Sequence, residues 1–177
     1  MSHPEQVAFI QRVKNRFPKA FDGASVLEVG SYNVNGTVRD FFPNTKRYIG
    51  LDLAEGKDVD VVCAGKDYSS NELFDVVIST ECFEHDPDWY YTFINMKDLC
   101  KVGGMVIFTC ASYNRQEHGT LRTSPQDSLV ASNYYKNLMM DDFIDRCGAD
   151  EIKKEFNQHA FETEANDLYF WGIKSWR

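Results

Sequence analysis

Apolar positions along this chain recur in two rhythms that alternate as far as residue 111. Val7, Ile10, Val13 and Phe17 are spaced by three, three and four residues, which predicts one face of a helix that Pro18 ends. Residues 24–29 form a short apolar run closed by Gly30, the pattern of a buried strand. A brief helical piece over 36–42 is stopped by Pro43. Residues 46–51 predict a second strand ending at Asp52, 58–63 a third and 74–79 a fourth. Trp89, Phe93, Met96 and Cys100 return to helical spacing, with Gly103-Gly104 as the stop, and 105–110 is a fifth strand. β-branched runs alternating with helical ones predict an α/β fold with a parallel sheet covered on both faces.

Beyond Ala111 the character changes. Residues 112–134 are polar and carry Gly119, Pro125 and several Ser and Asn, which reads as a long loop or lid. A helix is expected over 135–147 with Gly148 as its C-cap. Strands follow near 151–156 and 168–175, the latter holding Tyr169, Phe170 and Trp171 as sheet core. Glu162, Glu164 and Asp167 read as a solvated turn between them. The expected architecture is a three-layer sandwich around a doubly wound, mostly parallel, seven-stranded sheet with an antiparallel late strand. It forms a single domain over 1–177: an N-terminal helix (1–20), a ligand-binding core (21–111), the 112–134 loop, and a C-terminal helix with the last strands (135–177).

Charge and cysteines narrow the partners. The 177 residues include 27 acidic and 19 basic side chains, a net charge of −8. That balance argues against a nucleic-acid or anionic-membrane surface, which needs a basic stripe, and leaves room for a small cationic ligand. No apolar run reaches the ~18 residues of a membrane span. The first six residues lack the features of a signal peptide. Five cysteines (63, 82, 100, 110 and 147) without a C-x-x-C pair support neither a disulfide framework nor a zinc ribbon. They read as reduced core residues of a cytoplasmic protein.

Open parallel sheets bind ligands beyond the carboxyl ends of their strands, where the strand order reverses. The residues expected there are Gly30 to Gly36, Asp52, Ala64-Gly65 and Thr80-Glu81. Asp52 follows Gly30 by 22 residues, the separation at which an acid accepts hydrogen bonds from a ribose diol, so a nucleoside is implied. A dinucleotide fingerprint starting at Gly30 requires Gly at 32 and 35, where Tyr32 and Asn35 stand, and no phosphate-binding G-x-x-x-x-G-K-[ST] occurs. A nucleoside without phosphates is favoured. A nicotinamide-dependent oxidoreductase on a similar sheet is the alternative; it shares Asp52 but lacks this glycine spacing and any Tyr-x-x-x-Lys.

Val26-Leu27-Glu28-Val29-Gly30 with Asn35-Gly36 resembles the first motif of the class I S-adenosylmethionine-dependent methyltransferases. Tyr48-Ile49-Gly50-Leu51-Asp52 resembles the second. Residues 74–79 running into Glu81-Cys82-Phe83-Glu84-His85 resemble the fourth motif of the small-molecule branch, and Gly103-Gly104-Met105-Val106-Ile107 the start of its fifth strand. The likeness spans residues 20 to 115. It implies a Rossmann-like methyltransferase fold, S-adenosyl-L-methionine as cofactor, and in-line methyl transfer to a small-molecule or sugar acceptor. By position it implies that Glu28, Gly30, Ser31, Tyr32, Asn33, Gly36, Ser79 and Thr80 surround the methionine end. Asp52 would take the ribose, with Leu53, Ala64 and Gly65 beside the adenine. The usual Gly-x-Gly is replaced by Gly30-Ser31-Tyr32-Asn33, and the family's adenine-binding acid after strand 3 is missing unless Asp67 supplies it.

His85 and His118 are the candidate bases, and Glu81, Tyr113, Arg115 and Arg122 the candidate acceptor-binding residues. Glu81-x-x-Glu84-His85 brushes against an inverted zinc-protease pattern, but Glu stands in place of its first His and no third ligand is evident, so no metal is expected. His3 and His159 give no signal. Asp86 and Asp88 read as caps of the helix starting near Trp89. Substrate recognition is left to residues 1–20, the 112–134 loop and a partner subunit, which makes a homodimer an expectation. A third reading is a catalytically silent protein of the same fold.

Overall fold

The computed structural model describes residues 3–176. Pro4, at the first helical position, opens helix α1 (Pro4–Arg16), which buries Gln6, Phe9, Ile10 and Val13 along one face; α2 (Pro18–Phe21) follows at once. Strands β1 (Ser25–Val29), β2 (Arg47–Asp52), β3 (Val61–Val62) and β4 (Phe74–Thr80) come next, then α3 (Trp89–Leu99) and β5 (Cys100–Ala111). The chain closes with α4 (Met140–Cys147), α5 (Ala149–Glu155), β6 (Phe156–Glu164) and β7 (Asp167–Lys174). The seven strands form one sheet in the order β3-β2-β1-β4-β5-β7-β6. Pairings from β3 to β5 are parallel, and β7 runs antiparallel to both β5 and β6. The order reverses between β1 and β4, which opens a crevice beyond their carboxyl ends.

Strand alternation sends successive side chains into two apolar layers. On one face Leu27, Val77, Val106, Phe108 and Phe170 pack with Phe93 of α3, Phe143 of α4 and Ile152 of α5. Phe108 stacks on both Phe143 (centroids 4.6 Å apart) and Phe170 (5.1 Å). On the other face Val26, Val76, Ile78, Ile107 and Trp171 meet Phe9, Ile10 and Val13 of α1 and Phe21 of α2. Tyr169, Phe170 and Trp171 are sheet core, as their pattern predicts.

Several local expectations are corrected. The helix expected over 36–42 shrinks to one 3-10 turn, Arg39–Phe41, and α1 supplies most of that face instead. The third strand keeps only two exposed residues. Gly103-Gly104 do not stop a helix: α3 ends at Leu99, and the glycines lie within β5 beside a register shift opposite β4. The helix expected from 135 starts at Met140, because Lys136 N–H donates to Glu84 O and Leu138 N–H to Ala111 O at 2.9 Å each, tying that segment to the core in extended form. Residues 151–155 are helical and the strand begins at Phe156. The expected turn contracts to Ala165-Asn166, both at positive φ, as a two-residue hairpin requires; Asp167 is fully buried.

Candidate active site at the sheet switch point

The crevice between β1 and β4 opens as a cleft lined by the segments that leave β1, β2 and β4 and by part of the 112–134 loop. Its floor is the turn after β1. Gly30 has φ +78°, and a Cβ there would sit 2.6 Å from Cys82 Cβ, so the turn packs directly against the segment leaving β4. Gly30 and Ser31 both donate their N–H to Leu51 O at 2.9 Å, which locks the turn onto β2. Asp52, at the end of β2, accepts Tyr32 N–H at 3.1 Å and Leu53 N–H at 2.7 Å. Burial raises its carboxyl pKa above the ordinary value. Each oxygen keeps lone pairs for a further donor.

The residues present suit a nucleoside carrying a cationic tail. Ser31 Oγ is buried without a hydrogen-bond partner, an atom that a ligand would satisfy. Leu53, Cys63, Ala64 and Gly65 offer an apolar wall beside Asp52. Glu28 also lines the cleft, its carboxylate accepting the Tyr48 hydroxyl at 2.8 Å, and burial pushes its pKa up to about 7. The lid contributes Asp127 to Val130 and Ser132. A Cβ at Gly56 would lie 2.8 Å from the Tyr32 ring and 3.0 Å from Leu129, so lid and floor close on each other there.

Glu81, His85, His118 and Gln6 also line the cleft. Glu81 adopts a left-handed φ of 51°, a costly conformation for a non-glycine residue and one that clusters at functional sites. Its Oε1 accepts the Thr109 hydroxyl at 2.8 Å, and its Oε2 lies 3.8 Å from His3 Nε2. His3 Nε2 is 2.8 Å from Asp167 Oδ2, and these two buried carboxylates push the imidazole pKa up to about 10. His85 goes the other way: burial, with His118 next to it, pushes its pKa down to about 4. The two imidazole rings meet edge to face, centroids 5.1 Å apart.

Of the residues expected from sequence, the cleft brings together Glu28, Gly30, Ser31, Tyr32, Gly36, Asp52, Leu53, Ala64, Gly65, Thr80, Glu81, His85 and His118. The others lie elsewhere. Ser79 Oγ donates to Val29 O at 2.9 Å inside the sheet, and Asn33 donates to Asp58 at 2.6 Å. Tyr113 is 64% exposed. Arg115 pairs with Asp167 at 3.4 Å and Arg122 with Glu117 at 3.0 Å, neither lining the cleft. Sequence reasoning passed over Gln6, Cys82 and His3. Gln6 carried a signal: it is the one polar member of the otherwise apolar 6/9/10/13 face of α1. His3 carried none, since its partners are 78 and 164 residues away.

Solved structures share this architecture. The N-methyltransferase NodS of Bradyrhizobium japonicum WM9 is similar over 96% of this chain and 98% of its own, at 14% identity and a TM-score of 0.56. A DhpI structure in complex with SAH is similar over 98% and 86%, at 15% identity and 0.65. The 1,6-didemethyltoxoflavin-N1-methyltransferase of Burkholderia thailandensis is similar over 99% and 92%, at 14% identity and 0.59. At such identities the likeness is one of fold. No curated protein matches the chain. A family model described as a methyltransferase domain matches residues 2–166, nearly the whole chain, and the chain therefore belongs to that methyltransferase family.

Proposed function

We propose that this protein transfers a methyl group from S-adenosyl-L-methionine to a small-molecule acceptor. The observation that carries the reading is the switch-point cleft itself, lined by Asp52, Glu28 and the Gly30 turn, in a chain of methyltransferase family. When bound, the cofactor supplies a methyl group on a sulfonium, already activated for in-line displacement. Asp52 holds the ribose hydroxyls, Ser31 satisfies its orphaned hydroxyl on the ligand, and Glu28 faces the cationic tail. Leu129, which closes on the floor near Gly56 and Tyr32, shields the ligand from water. Glu81, His85 and His118 line the cleft, where they orient the acceptor. Two of the similar solved structures, described as an N-methyltransferase and as a 1,6-didemethyltoxoflavin-N1-methyltransferase with bound 1,6-didemethyltoxoflavin, support a small-molecule acceptor. Five unpaired cysteines support a reducing, cytoplasmic setting.

Thermal unfolding with ligand tests this. S-adenosylmethionine at 100 times its Kd adds about 2.7 kcal/mol, or roughly 5–10 °C at this size. Asp52→Ala should remove most of that shift. A shift with NAD and none with S-adenosylmethionine would overturn the proposal.

A further inference from the structure

Glu84, His85 and His118 converge at the cleft, and their polar atoms find no solution among themselves. Glu84 is fully buried, neither of its carboxyl oxygens makes a hydrogen bond, and burial, with Glu81 nearby, pushes its pKa up to about 8. Its main chain is held, since Glu84 O accepts Lys136 N–H at 2.9 Å. His85 Nδ1 is buried without a partner. His118 Nδ1 lies 3.0 Å from Gln116 O, a carbonyl that can only accept, and 3.3 Å from the Tyr135 hydroxyl; a proton on Nδ1 satisfies the carbonyl and leaves Nε2 with its lone pair. That Nε2 is buried, unpartnered and 3.9 Å from Glu84 Oε1. The gap is too wide for a proton to bridge.

One ligand atom from each of the three residues lies within 4.8 Å of the others. Two imidazole nitrogens and a buried carboxyl thus face a common point, each without a hydrogen-bond partner, which is costly unless a cation is shared. Atoms bound to one zinc-type ion at about 2.0–2.2 Å stand about 3.4 Å apart in a tetrahedron, so Glu84 and His118 need approach by only about 0.5 Å. The carbonyl of Gln116 fixes the tautomer of His118 as a metal-bound histidine requires. Tyr135 packs edge to face on both imidazoles, at 5.4 Å and 5.3 Å between centroids. The neighbouring His3–Glu81–Asp167 cluster differs: its carboxylates already have a cation in His3, with Arg115 against Asp167.

We propose that Glu84, His85 and His118 form a binding site for a divalent transition-metal cation of the zinc type, opening on the cleft. Two imidazoles and one carboxylate suit such ions better than magnesium or calcium, which take oxygen ligands. Three protein ligands leave a position for an outside lone pair. Resting on the methyl-transfer reading, this names the acceptor class as a compound with an oxygen or nitrogen that can ligate the ion.

The test uses metal-stripped full-length protein titrated with CoCl2, ZnCl2 and MgCl2. One cobalt per chain is expected, with visible d–d absorption displaced by zinc and not by magnesium. Glu84→Gln and His118→Gln should each weaken cobalt binding at least tenfold, while His3→Gln and His159→Gln leave it unchanged. The proposal is overturned if the wild-type protein retains no cobalt, if affinity is unaltered in the first two variants, or if His3→Gln removes it. The S-adenosylmethionine thermal shift, read on the same metal-stripped samples, reports the methyl-donor site separately, so either idea can fail without the other.

Discussion

Glu28 is 3% exposed, and with the Tyr48 hydroxyl as its neighbour the carboxyl titrates near 7. The native pKa lies above the ordinary value, so the fold favours the protonated form, and stability falls as pH rises from about 4.5 to 7. A cationic ligand favours the ionised form. S-adenosylmethionine should therefore release a proton on binding near pH 6.5, and its affinity should climb between about pH 5 and 7.5 and then level off. Calorimetry in buffers of different ionisation enthalpy measures this directly. Glu28→Gln should abolish the slope and weaken binding about ten- to hundredfold, the range for a lost hydrogen bond to a charged group. A flat profile in the wild type would sink the assignment. Asp52 and Glu28 were both legible because strand ends are local features. Ser79 was placed by the same logic, yet its hydroxyl serves the sheet, since whether a residue beside the strand end faces the cleft depends on packing.

Helix α1 depends on a contact made far from it in sequence. His3 links its start to Glu81, just after β4, and to Asp167, the first residue of β7. With a native pKa near 10, the imidazolium contributes fully below about pH 6.5, its ordinary value, and that contribution is lost as pH rises through 10. His3→Gln should cost about 1.5–3 kcal/mol at pH 6.5 and almost nothing above pH 10. Urea unfolding at the two pH values checks it; equal costs at both would show that the ion pair is not the cause. Other elements went astray in sequence for physical reasons. The 151–155 stretch, Glu-Ile-Lys-Lys-Glu, is made mostly of good helix formers with one buried residue, Ile152, and β6 exists because β7 offers it a ladder. The extended 135–139 segment yields to two tertiary backbone bonds.

At the scale of the molecule, the net charge of −8 has a counterpart in the cleft. Glu28, Asp52, Glu81, Asp86 and Asp127 line the cleft, and no Lys or Arg stands among the described residues lining it. Such a cleft focuses negative potential on an incoming cation. S-adenosylmethionine, with its sulfonium, should bind about three- to tenfold more weakly when ionic strength rises from ~20 to ~500 mM, since the Debye length falls from roughly 20 Å to 4 Å. The demethylated product carries no net charge and should hardly respond. Equal salt dependence for the two ligands, by calorimetry, would show that the field of the protein does not discriminate between them.

By itself the sequence determined the alternation of strands and helices, the doubly wound sheet, and the turn residues Gly30, Asp52 and Glu81 at its carboxyl edge. These follow from periodicities and breakers that act within a few residues. Only the tertiary structure decided which side chains share the cleft. It moved Arg115 and Arg122 away from the cleft, drew in Gln6, and gave His3 two carboxylate partners. It also set His118 against Glu84 and His85, across 33 residues of chain, and no local pattern records such a convergence. It arises when the two apolar faces of the sheet are covered, and that packing fixes where the polar loops between strands must end.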